Sequence, residues 1–402
     1  MLDYSSRLSC AAFAGALLLA CNGNDPGTSD SANTLGSLDG TTTSVDPSTS
    51  VATTEQGTAD GEGTSDATGS TTDPVADDTS SDATTRGPTT CDPVPLCFDV
   101  PPPSAGPTLD WENFESNLVE ASGSPRHRGR DMFYNPDDDH WVMAKFAYGA
   151  TDWDLEGERV DLFLLRHCEG DWESLGPVFT TFEDNHPTIE GVEDTGGRLY
   201  FQMPTQLPVG RHRIHMVVRG DDSRADTYIE VVEPGTPMFL SDIDGTLTTA
   251  EWERLLDFLL DNIPDVNPGA PEALQMLADL GYRPMYLTAR PEFLGNRTYD
   301  FIEMRGLPPG IIHTTLSATG AMGTAAVDYK TAEFEVLASR GLVPAYVFGN
   351  TDSDAEAYHN AGIMPLPNRV FFQYEDEEFG GRTIDSYTEL WDEFSALDPV
   401  CE

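Results

Sequence analysis

The sequence predicts a C-terminal α/β domain with an uncapped, doubly wound parallel sheet, preceded by a β-sandwich-like domain and a disordered N-terminal tether. Residues 22–90 contain no Phe, Trp or Tyr, and residues 97–235 contain short apolar runs separated by Gly, Asp and Pro. From residue 236 onward, apolar strands alternate with helical stretches, which is typical of a parallel sheet covered on both faces. The predicted domains are residues 1–20, 21–90, 91–235 and 236–402.

The composition excludes several classes of partner. The 402 residues include 22 Lys and Arg against 69 Asp and Glu, which gives a formal net charge of −47. Nucleic-acid binding needs a basic surface that neutralises phosphates, so no nucleic-acid partner is expected. Docking of the whole surface on anionic lipid is disfavoured for the same reason.

Residues 1–20 are predicted to be a lipoprotein signal peptide. An apolar run at residues 11–20 follows Arg7 and ends at Cys21, which suits a secretory signal but is too short to span a bilayer. The run Leu18-Leu-Ala-Cys21 resembles a bacterial lipobox, in which the cysteine is lipidated; the alternative is an ordinary signal peptide with a chance cysteine. We therefore expect a lipid-anchored protein of the bacterial cell envelope, at the outer membrane because Asn follows Cys21, facing the periplasm or the outside.

Residues 21–90 are predicted to be an acidic tether rich in Ser, Thr and Gly. They contain twelve acidic residues after Cys21 and a single basic one, Arg86. Such a stretch buries too little apolar surface to offset the conformational entropy lost on folding. A segment of this composition would hold the folded part away from a membrane.

Four cysteines remain after the signal peptide and Cys21, and they are expected to form disulfides. Two bonds allow three connectivities. We favour Cys91–Cys97 with Cys168–Cys401, because Cys91 and Cys97 are near neighbours in the chain.

The predicted strands of the β-sandwich-like domain are residues 141–148, 160–165, 213–218 and 226–232. Their spacing indicates an antiparallel sandwich. The acidic run at residues 137–140 lacks the Gly and the final Glu of a calcium loop and is interpreted as a solvated turn. The basic cluster Arg126-His-Arg-Gly-Arg130 is interpreted as pairing with neighbouring carboxylates rather than as an anion site.

The α/β domain is predicted from strands at residues 237–242, 284–288, 310–313, 345–348 and 370–373. The predicted helices are residues 252–262, 271–280, 296–305, 332–339 and 354–360. In such sheets the site forms beyond the carboxyl ends of the strands. Polar residues occupy those ends: Asp242 and Asp244, Thr288, and the loop at residues 350–354.

These residue types are suited to phosphoryl transfer. Asp242 can act as a nucleophile that forms an aspartyl-phosphate, and Asp244 can protonate the leaving oxygen and then activate water. Two adjacent carboxylates repel each other unless a divalent cation shares their charge, and Mg²⁺ prefers oxygen ligands. Thr288 and Lys330 offer a hydroxyl and an ammonium to the phosphoryl oxygens.

The motifs Asp242-Ile-Asp-Gly-Thr246, Tyr286-Leu-Thr-Ala-Arg290, Lys330 and Phe348-Gly-Asn-Thr-Asp-Ser-Asp354 resemble those of the haloacid dehalogenase superfamily. More narrowly, they resemble the lipin-type phosphatidate phosphatases and the C-terminal domain of phosphatidylinositol transfer proteins. The resemblance covers residues 236–394 and implies a Rossmann-like sheet. The chain has only two lysines, Lys145 and Lys330, and Lys330 falls where this superfamily has its phosphate-binding lysine.

The resemblance implies a role for each matched residue. Asp242 and Asp244 would be catalytic. Thr288, Lys330 and Arg290 would bind the substrate phosphate. Mg²⁺ would be held by Asp242, Asp244, Asn350 and Asp354.

The expected function is that of a Mg²⁺-dependent phosphatase acting on phosphatidate-like lipid phosphate monoesters. One alternative is a phosphatase for soluble phosphate monoesters. The other is a non-catalytic module that binds phosphatidate, because relatives in the transfer-protein branch can lose the catalytic carboxylates. This sequence retains both carboxylates, which favours an enzyme.

Overall fold

The computed structural model describes residues 90–249, 263–376 and 378–401. The signal peptide, Cys21, nearly all of the tether and the predicted helix at residues 252–262 lie outside these residues. Within the described part, ten strands and a short helix, α1 (Ser116–Glu120), precede an α/β region with six strands and five helices. In these same residues, no helix is long and apolar enough to cross a membrane.

The N-terminal strands form a β-sandwich, as predicted. In chain order they are β1 (Arg128–Arg130), β2 (Met132–Tyr134), β3 (Trp141–Lys145), β4 (Ala147–Tyr148), β5 (Trp153–Asp154), β6 (Arg159–Leu165), β7 (Glu173–Phe179), β8 (Arg198–Gln202), β9 (Gly210–Val218) and β10 (Arg224–Val231). One sheet has the order β1-β3-β8, the other has the order β2-β10-β9-β6-β7, and β4 pairs with β5. Alternate residues such as Val160, Leu162 and Leu164 pack into a shared apolar core.

One strand pair departs from the antiparallel prediction. Strand β2 pairs with β10 in parallel, with Met132 opposite Ile229. Only Asp131 separates β1 from β2, yet these two strands belong to different sheets. The backbone N–H of Tyr228 donates to the carboxylate of Asp131, which fixes this crossing between the sheets.

The C-terminal region is a six-stranded parallel sheet, which is compatible with a Rossmann-like fold. Its strands are β11 (Met238–Ser241), β12 (Arg283–Leu287), β13 (Ile311–His313), β14 (Tyr346–Gly349), β15 (Arg369–Phe372) and β16 (Arg382–Ile384). Their order is β13-β12-β11-β14-β15-β16, and every neighbouring pair is parallel. All four residues of β11 are buried, as expected for a central strand covered on both faces.

The helices of this region are α2 (Ala270–Asp279), α3 (Gly295–Met304), α4 (Thr324–Ser339), α5 (Asp352–Asn360) and α6 (Trp391–Ser395). Helix α4 begins eight residues before its predicted start, which places Lys330 inside it. Strand β16 and helix α6 were not predicted. The short segment of β16 mixes charged and apolar residues, so it carries no clear strand pattern.

The predicted disulfide connectivity is wrong. The bonds join Cys91 to Cys401 and Cys97 to Cys168. The reason is that both ends of the folded chain bind the end of α2: the N–H of Cys91 donates to the carbonyl of Asp279, and that of Val400 donates to the carbonyl of Leu280. Chain neighbours were therefore a poor guide to spatial neighbours.

Candidate active site

Asp242 follows β11 directly and lies at the carboxyl edge of the sheet. Its N–H donates to the carbonyl of Phe348 in β14, which ties the two central strands together at this point. The ammonium of Lys330 donates to Asp242 Oδ1 over 2.7 Å, and the hydroxyl of Thr246 donates to Oδ2 over 3.1 Å. The carboxylate is thus buried but held by two donors, which leaves it oriented at the strand end.

Asp244 is held by the motif that follows β12. The Arg290 guanidinium donates to both of its carboxylate oxygens, with Nη2 2.7 Å from Oδ1 and Nε 2.9 Å from Oδ2. The hydroxyl of Thr288 also donates to Oδ2, over 3.0 Å. Arg290 is completely buried, and its Nη1 donates to the hydroxyl of Thr298 in α3. In this structure, therefore, both predicted phosphate-binding residues of this motif contact Asp244.

Lys330 connects Asp242 to the last motif. Its ammonium also donates to Asp354 Oδ1 over 2.5 Å. Burial alone would lower the pKa of Lys330, but the carboxylates of Asp242 and Asp354 outweigh it and raise this pKa above that of a free lysine. Lys330 therefore stays charged and bridges the two acidic motifs.

Asp354 has a second role at the start of α5. Its Oδ2 accepts from the N–H groups of Asn350 and Thr351 and from the hydroxyl of Thr351. Thr351 in turn accepts from the N–H of Asp354, so the two residues form a capping box at the helix start. Both carboxylate oxygens of Asp354 are thus bonded to protein donors.

Thr246 joins Asn350 to the site, a role that the sequence analysis did not assign. Its hydroxyl lies 2.9 Å from Asn350 Oδ1 as well as 3.1 Å from Asp242 Oδ2. Asn350 also packs against Gly245, where an added Cβ would lie 2.1 Å from Asn350 Nδ2. Gly245 has φ +79°, so this close approach requires glycine for two reasons.

An open cleft of about 210 Å³ exposes the site between the strand ends and α4. Its lining includes four carboxylates against two cations, and both cations already pair with carboxylates. Burial raises the pKa of Asp242 to about 7; Lys330 opposes this rise, and the carboxylates of Asp354 and Asp244 add to it. The cleft thus carries excess negative charge.

The donor chemistry of the predicted magnesium site fits a hard divalent cation. Asp242, the Asp244 carbonyl, Asn350 and Asp354 all offer oxygen, and a cation would offset the excess charge. The described residues contain no cluster of three His, Cys, Asp or Glu side chains arranged to hold a metal. The predicted set does not need one, because two of its four donors are an amide and a backbone carbonyl.

The structure brings together every predicted site residue that it describes. Asp242, Lys330 and Asp354 form one connected group, and Asp244, Thr288 and Arg290 form another. Asn350 joins the first group through its N–H, which donates to Asp354, and through Thr246. Cys21 lies outside the described residues. Thr246, which stands inside the first motif, and Thr298, which belongs to no motif, were not predicted as site residues.

Comparison with known proteins identifies both regions of the described chain. Residues 239–372 match the family model described as "PITM 1-3, LNS2 domain", and residues 125–231 match that described as "PITM 1-3, beta-sandwich domain". The chain therefore carries a β-sandwich domain followed by a lipin-like LNS2 domain, a type related to the haloacid dehalogenase phosphatases. This confirms the predicted resemblance at the level of the domain.

The similar relatives are much longer proteins. The protein named retinal degeneration B of Drosophila melanogaster is 26% identical over 262 residues, which is 64% of this chain and 19% of that protein. Membrane-associated phosphatidylinositol transfer protein 2 of Mus musculus is 25% identical over 264 residues, or 65% of this chain and 18% of that protein. The Homo sapiens protein of that name is 28% identical over 210 residues, which is 51% of this chain and 14% of that protein. The chain thus spans about a fifth or less of these relatives.

Proposed function

We propose that this protein is a Mg²⁺-dependent phosphatase that acts through an aspartyl-phosphate on phosphatidate-like lipid phosphate monoesters. The observation that carries the proposal is the placement of Asp242 and Asp244 at one strand end, with the Asp242 carboxylate oriented by the buried ammonium of Lys330. Lys330 also pairs with Asp354, so the nucleophile, the cation and the last motif lie in one cleft.

Each residue has a defined task in the proposed reaction. A carboxylate oxygen of Asp242 attacks phosphorus, and the bond from phosphorus to the leaving oxygen breaks as Asp244 gives that oxygen a proton. Asp244 then takes a proton from water, which attacks the aspartyl-phosphate and releases inorganic phosphate and free Asp242. Lys330 stabilises the charge on the phosphoryl oxygens throughout.

The magnesium ligands in this proposal are Asp242, the Asp244 carbonyl, Asn350 and Asp354. When bound, Mg²⁺ would neutralise the phosphate and part of the negative charge of the cleft. Asp354 Oδ1 accepts a hydrogen bond from Lys330, and a carboxylate oxygen has two lone pairs, so Oδ1 can also offer one to the cation.

Two features support a lipid substrate. Two of the three relatives described above are named as membrane-associated phosphatidylinositol transfer proteins, which supports lipid binding by the LNS2 domain. The cleft is also open, and Met322, which is 62% exposed, lies on its lining. An anchor at Cys21 would keep the chain attached to a membrane. Soluble phosphate monoesters remain the alternative substrates.

A non-catalytic module that binds phosphatidate is the second candidate. The observation in its favour is the pairing of Asp244, since both oxygens accept from Arg290 and neither is free for proton transfer in this arrangement. Catalysis requires the Asp244 carboxyl to turn toward the leaving oxygen. A binding module requires no such movement.

Phosphate release separates these functions. The full-length chain would be incubated with phosphatidate vesicles and with soluble phosphate esters, with and without Mg²⁺, beside Asp242→Asn as the control. Mg²⁺-dependent release from phosphatidate, absent in Asp242→Asn, supports the proposal. Release from soluble esters alone indicates the other enzyme. Co-sedimentation with phosphatidate vesicles without any release indicates the binding module.

We also propose that Cys21 carries a lipid that anchors the chain in a bacterial envelope. Fatty-acid labelling should mark the wild-type chain and not Cys21→Ser, because the thioether needs the sulfur. Cys10→Ser is the control and should be labelled as the wild type is. Labelling of Cys21→Ser would refute the anchor.

A further inference from the structure

Strand β1 carries two arginines that reach from the sandwich into the α/β region. Arg128 and Arg130 share one side of the strand because side chains alternate along it. Gly129, between them, lies so close to β10 that an added Cβ would be 2.3 Å from Thr227 Cβ and 2.5 Å from the Asp226 carbonyl. Glycine therefore allows β1 to lie flat on β10 while both arginines point to the same side.

Arg128 and a second sandwich residue, Arg198 of β8, bind Glu292 from two sides. Arg198 makes a two-pronged ion pair with the Glu292 carboxylate, and Arg128 Nη2 lies 3.1 Å from Glu292 Oε2. Asp152 Oδ2 lies 2.6 Å from Arg128 Nη2 and balances the charge of this arginine. Burial alone would raise the pKa of Glu292, but the two arginines outweigh it and lower this pKa. The cluster is buried and electrically balanced.

Arg130 makes the second connection, to helix α4. Its Nη2 lies 2.5 Å from Glu333 Oε1, and its Nη1 donates to the carbonyl of Thr314. The other oxygen of Glu333 lies 2.7 Å from Nδ1 of His313, whose Nε2 is 2.6 Å from the carbonyl of Asp131. Strand β1, strand β13 and helix α4 are therefore joined by a single buried network.

Both acceptors of these arginines lie next to a residue of the candidate active site. Glu292 comes two residues after Arg290, and the segment between them is fixed by backbone bonds to the loop after β13, from Thr315 N–H to the Arg290 carbonyl and from Glu292 N–H to the Ser317 carbonyl. Glu333 comes three residues after Lys330, one turn along α4. A shift of either glutamate would be carried directly to Arg290 or Lys330.

We propose that Arg128, Arg130 and Arg198 make the sandwich a positioning element of the active site, through Glu292 to the Arg290–Asp244 pair and through Glu333 to Lys330. The expected effects on catalysis rest on the proposed function, whereas the physical coupling of the sandwich to Arg290 and Lys330 does not depend on it. None of the three arginines touches substrate in this scheme. They hold Glu292 and Glu333, the chain neighbours of Arg290 and Lys330, and so fix the placement of those two site residues within the narrow tolerance of catalysis.

The first test measures the coupling without any catalytic readout. Hydrogen exchange, followed by mass spectrometry on the full-length chain, would compare wild type with Glu292→Gln, which keeps the size of the side chain and removes its charge. We expect faster exchange in peptides covering residues 288–294 and unchanged exchange in peptides covering β6 and β9. Unchanged exchange at residues 288–294 would overturn the proposal.

The matched control is Arg340→Met. Arg340 also joins the α/β region to the sandwich, through Asp138 and Glu190, but it lies at the opposite end of α4 from the cleft. Its loss should lower the urea midpoint without faster exchange at residues 288–294 and without a change in kcat. If Arg340→Met reproduced the effects of Glu292→Gln, a loss of stability of the whole fold would explain both, and the proposal would fail.

The second test is a double-mutant cycle in the active enzyme. Glu292→Gln should lower kcat by about tenfold, with KM within about twofold of wild type, because only the placement of the acid–base group changes. In the Arg290→Met background the same change should have little further effect, since Glu292 acts through Arg290. Equal losses in both backgrounds would contradict the coupling. If the wild type releases no phosphate at all, the proposed function fails and the exchange experiment alone decides this inference.

Discussion

The ammonium of Lys330 donates to the carboxylate of Asp242 over 2.7 Å, and these side chains belong to residues that are only 3% and 5% exposed. The two residues are 88 positions apart in the chain. The parallel sheet places Asp242 at a strand end, and α4 passes over that end with Lys330 in its second turn. This pair is what allows a carboxylate to be buried at the edge of an acidic cleft.

Lys330→Arg should fold but lose most of the phosphatase activity. The ammonium fits between Asp242 and Asp354, and a guanidinium is wider and directs its donors differently. Lys330→Ala should lose on the order of 10²-fold in kcat, as when a preorganised donor to the transition state is removed. Steady-state kinetics with Mg²⁺ would measure both.

The control for the Lys330→Arg substitution is Arg224→Lys. Arg224 is exposed and pairs with Asp222. It should leave activity unchanged. The other lysine is unsuitable, because the Lys145 ammonium is itself buried and bonded to Asp154 and to the Gly196 carbonyl. Wild-type turnover in Lys330→Arg would mean that this lysine is not the phosphate-binding lysine.

Asp244→Asn should lose both activity and stability. The amide cannot transfer the proton, which costs on the order of 10²-fold or more in kcat. It also leaves the buried charge of Arg290 unpaired, which should lower the free energy of unfolding by about 3–5 kcal/mol in urea denaturation. Adding Arg290→Met should restore part of the stability but none of the activity.

Asp352→Asn is the stability control for that experiment. This carboxylate lines the same cleft but is exposed, so its loss should change the free energy of unfolding by no more than about 0.5 kcal/mol. If both asparagine variants were equally stable, the Arg290–Asp244 pair would contribute nothing to folding.

Glu333→Gln should reduce the loss of folding stability at low pH. Burial opposes ionisation of Glu333, but His313 and Arg130 outweigh it and lower its pKa to about 2; Tyr329 also faces the cluster. Because the folded pKa is depressed, the stabilisation is present above the unfolded pKa and is lost as pH falls toward 2. From pH 7 to pH 3, the free energy of unfolding should therefore fall by about 2 kcal/mol less in the variant than in the wild type.

Urea denaturation at several pH values would measure this change. Glu335→Gln, two residues away on the exposed side of α4, should retain the wild-type dependence. An identical pH dependence in Glu333→Gln would show that the charge of Glu333 is not what His313 and Arg130 stabilise.

The disulfide between Cys91 and Cys401 should contribute about 2–4 kcal/mol to the free energy of unfolding. Cys91→Ser and Cys401→Ser should therefore destabilise the protein equally, and the double variant should be no less stable than either single one. After cleavage before Asp92, which separates Cys91 from Cys97, peptide mapping without reduction should recover the Cys91 peptide linked to the Cys401 peptide. A Cys91 peptide linked to the Cys97 peptide would contradict the structure.

Much of the candidate site follows from short segments of sequence. The predicted buried strand at residues 237–242 ends on Asp242, and Asp244 comes two residues later. Thr288 ends a second predicted strand, and Asn350 comes two residues after a third. Since parallel strands end at a common edge, their order in the chain is enough to bring these residues together. Lys330 was identified through the resemblance to the haloacid dehalogenase superfamily, although the predicted helix began after it.

The partners of these residues could not be predicted in the same way. Arg290 was expected to bind phosphate, but whether its guanidinium faces the cleft or Asp244 depends on how α3 packs beside it. The Arg128-Gly-Arg130 run was expected to pair with carboxylates, yet nothing in the sequence identifies Glu292 and Glu333 as those carboxylates. The disulfides were mispaired for the same reason.

The sequence by itself thus determined the two folded regions, the parallel sheet and the identity of the acidic, cationic and hydroxyl groups at its edge. These depend on local periodicity and on residues that stand beside their own strands. The tertiary structure alone decided which charges pair, which cysteines join and how the sandwich contacts the site. The physical reason is that burial and pairing depend on distances between segments far apart in the chain, and packing of the whole fold sets those distances.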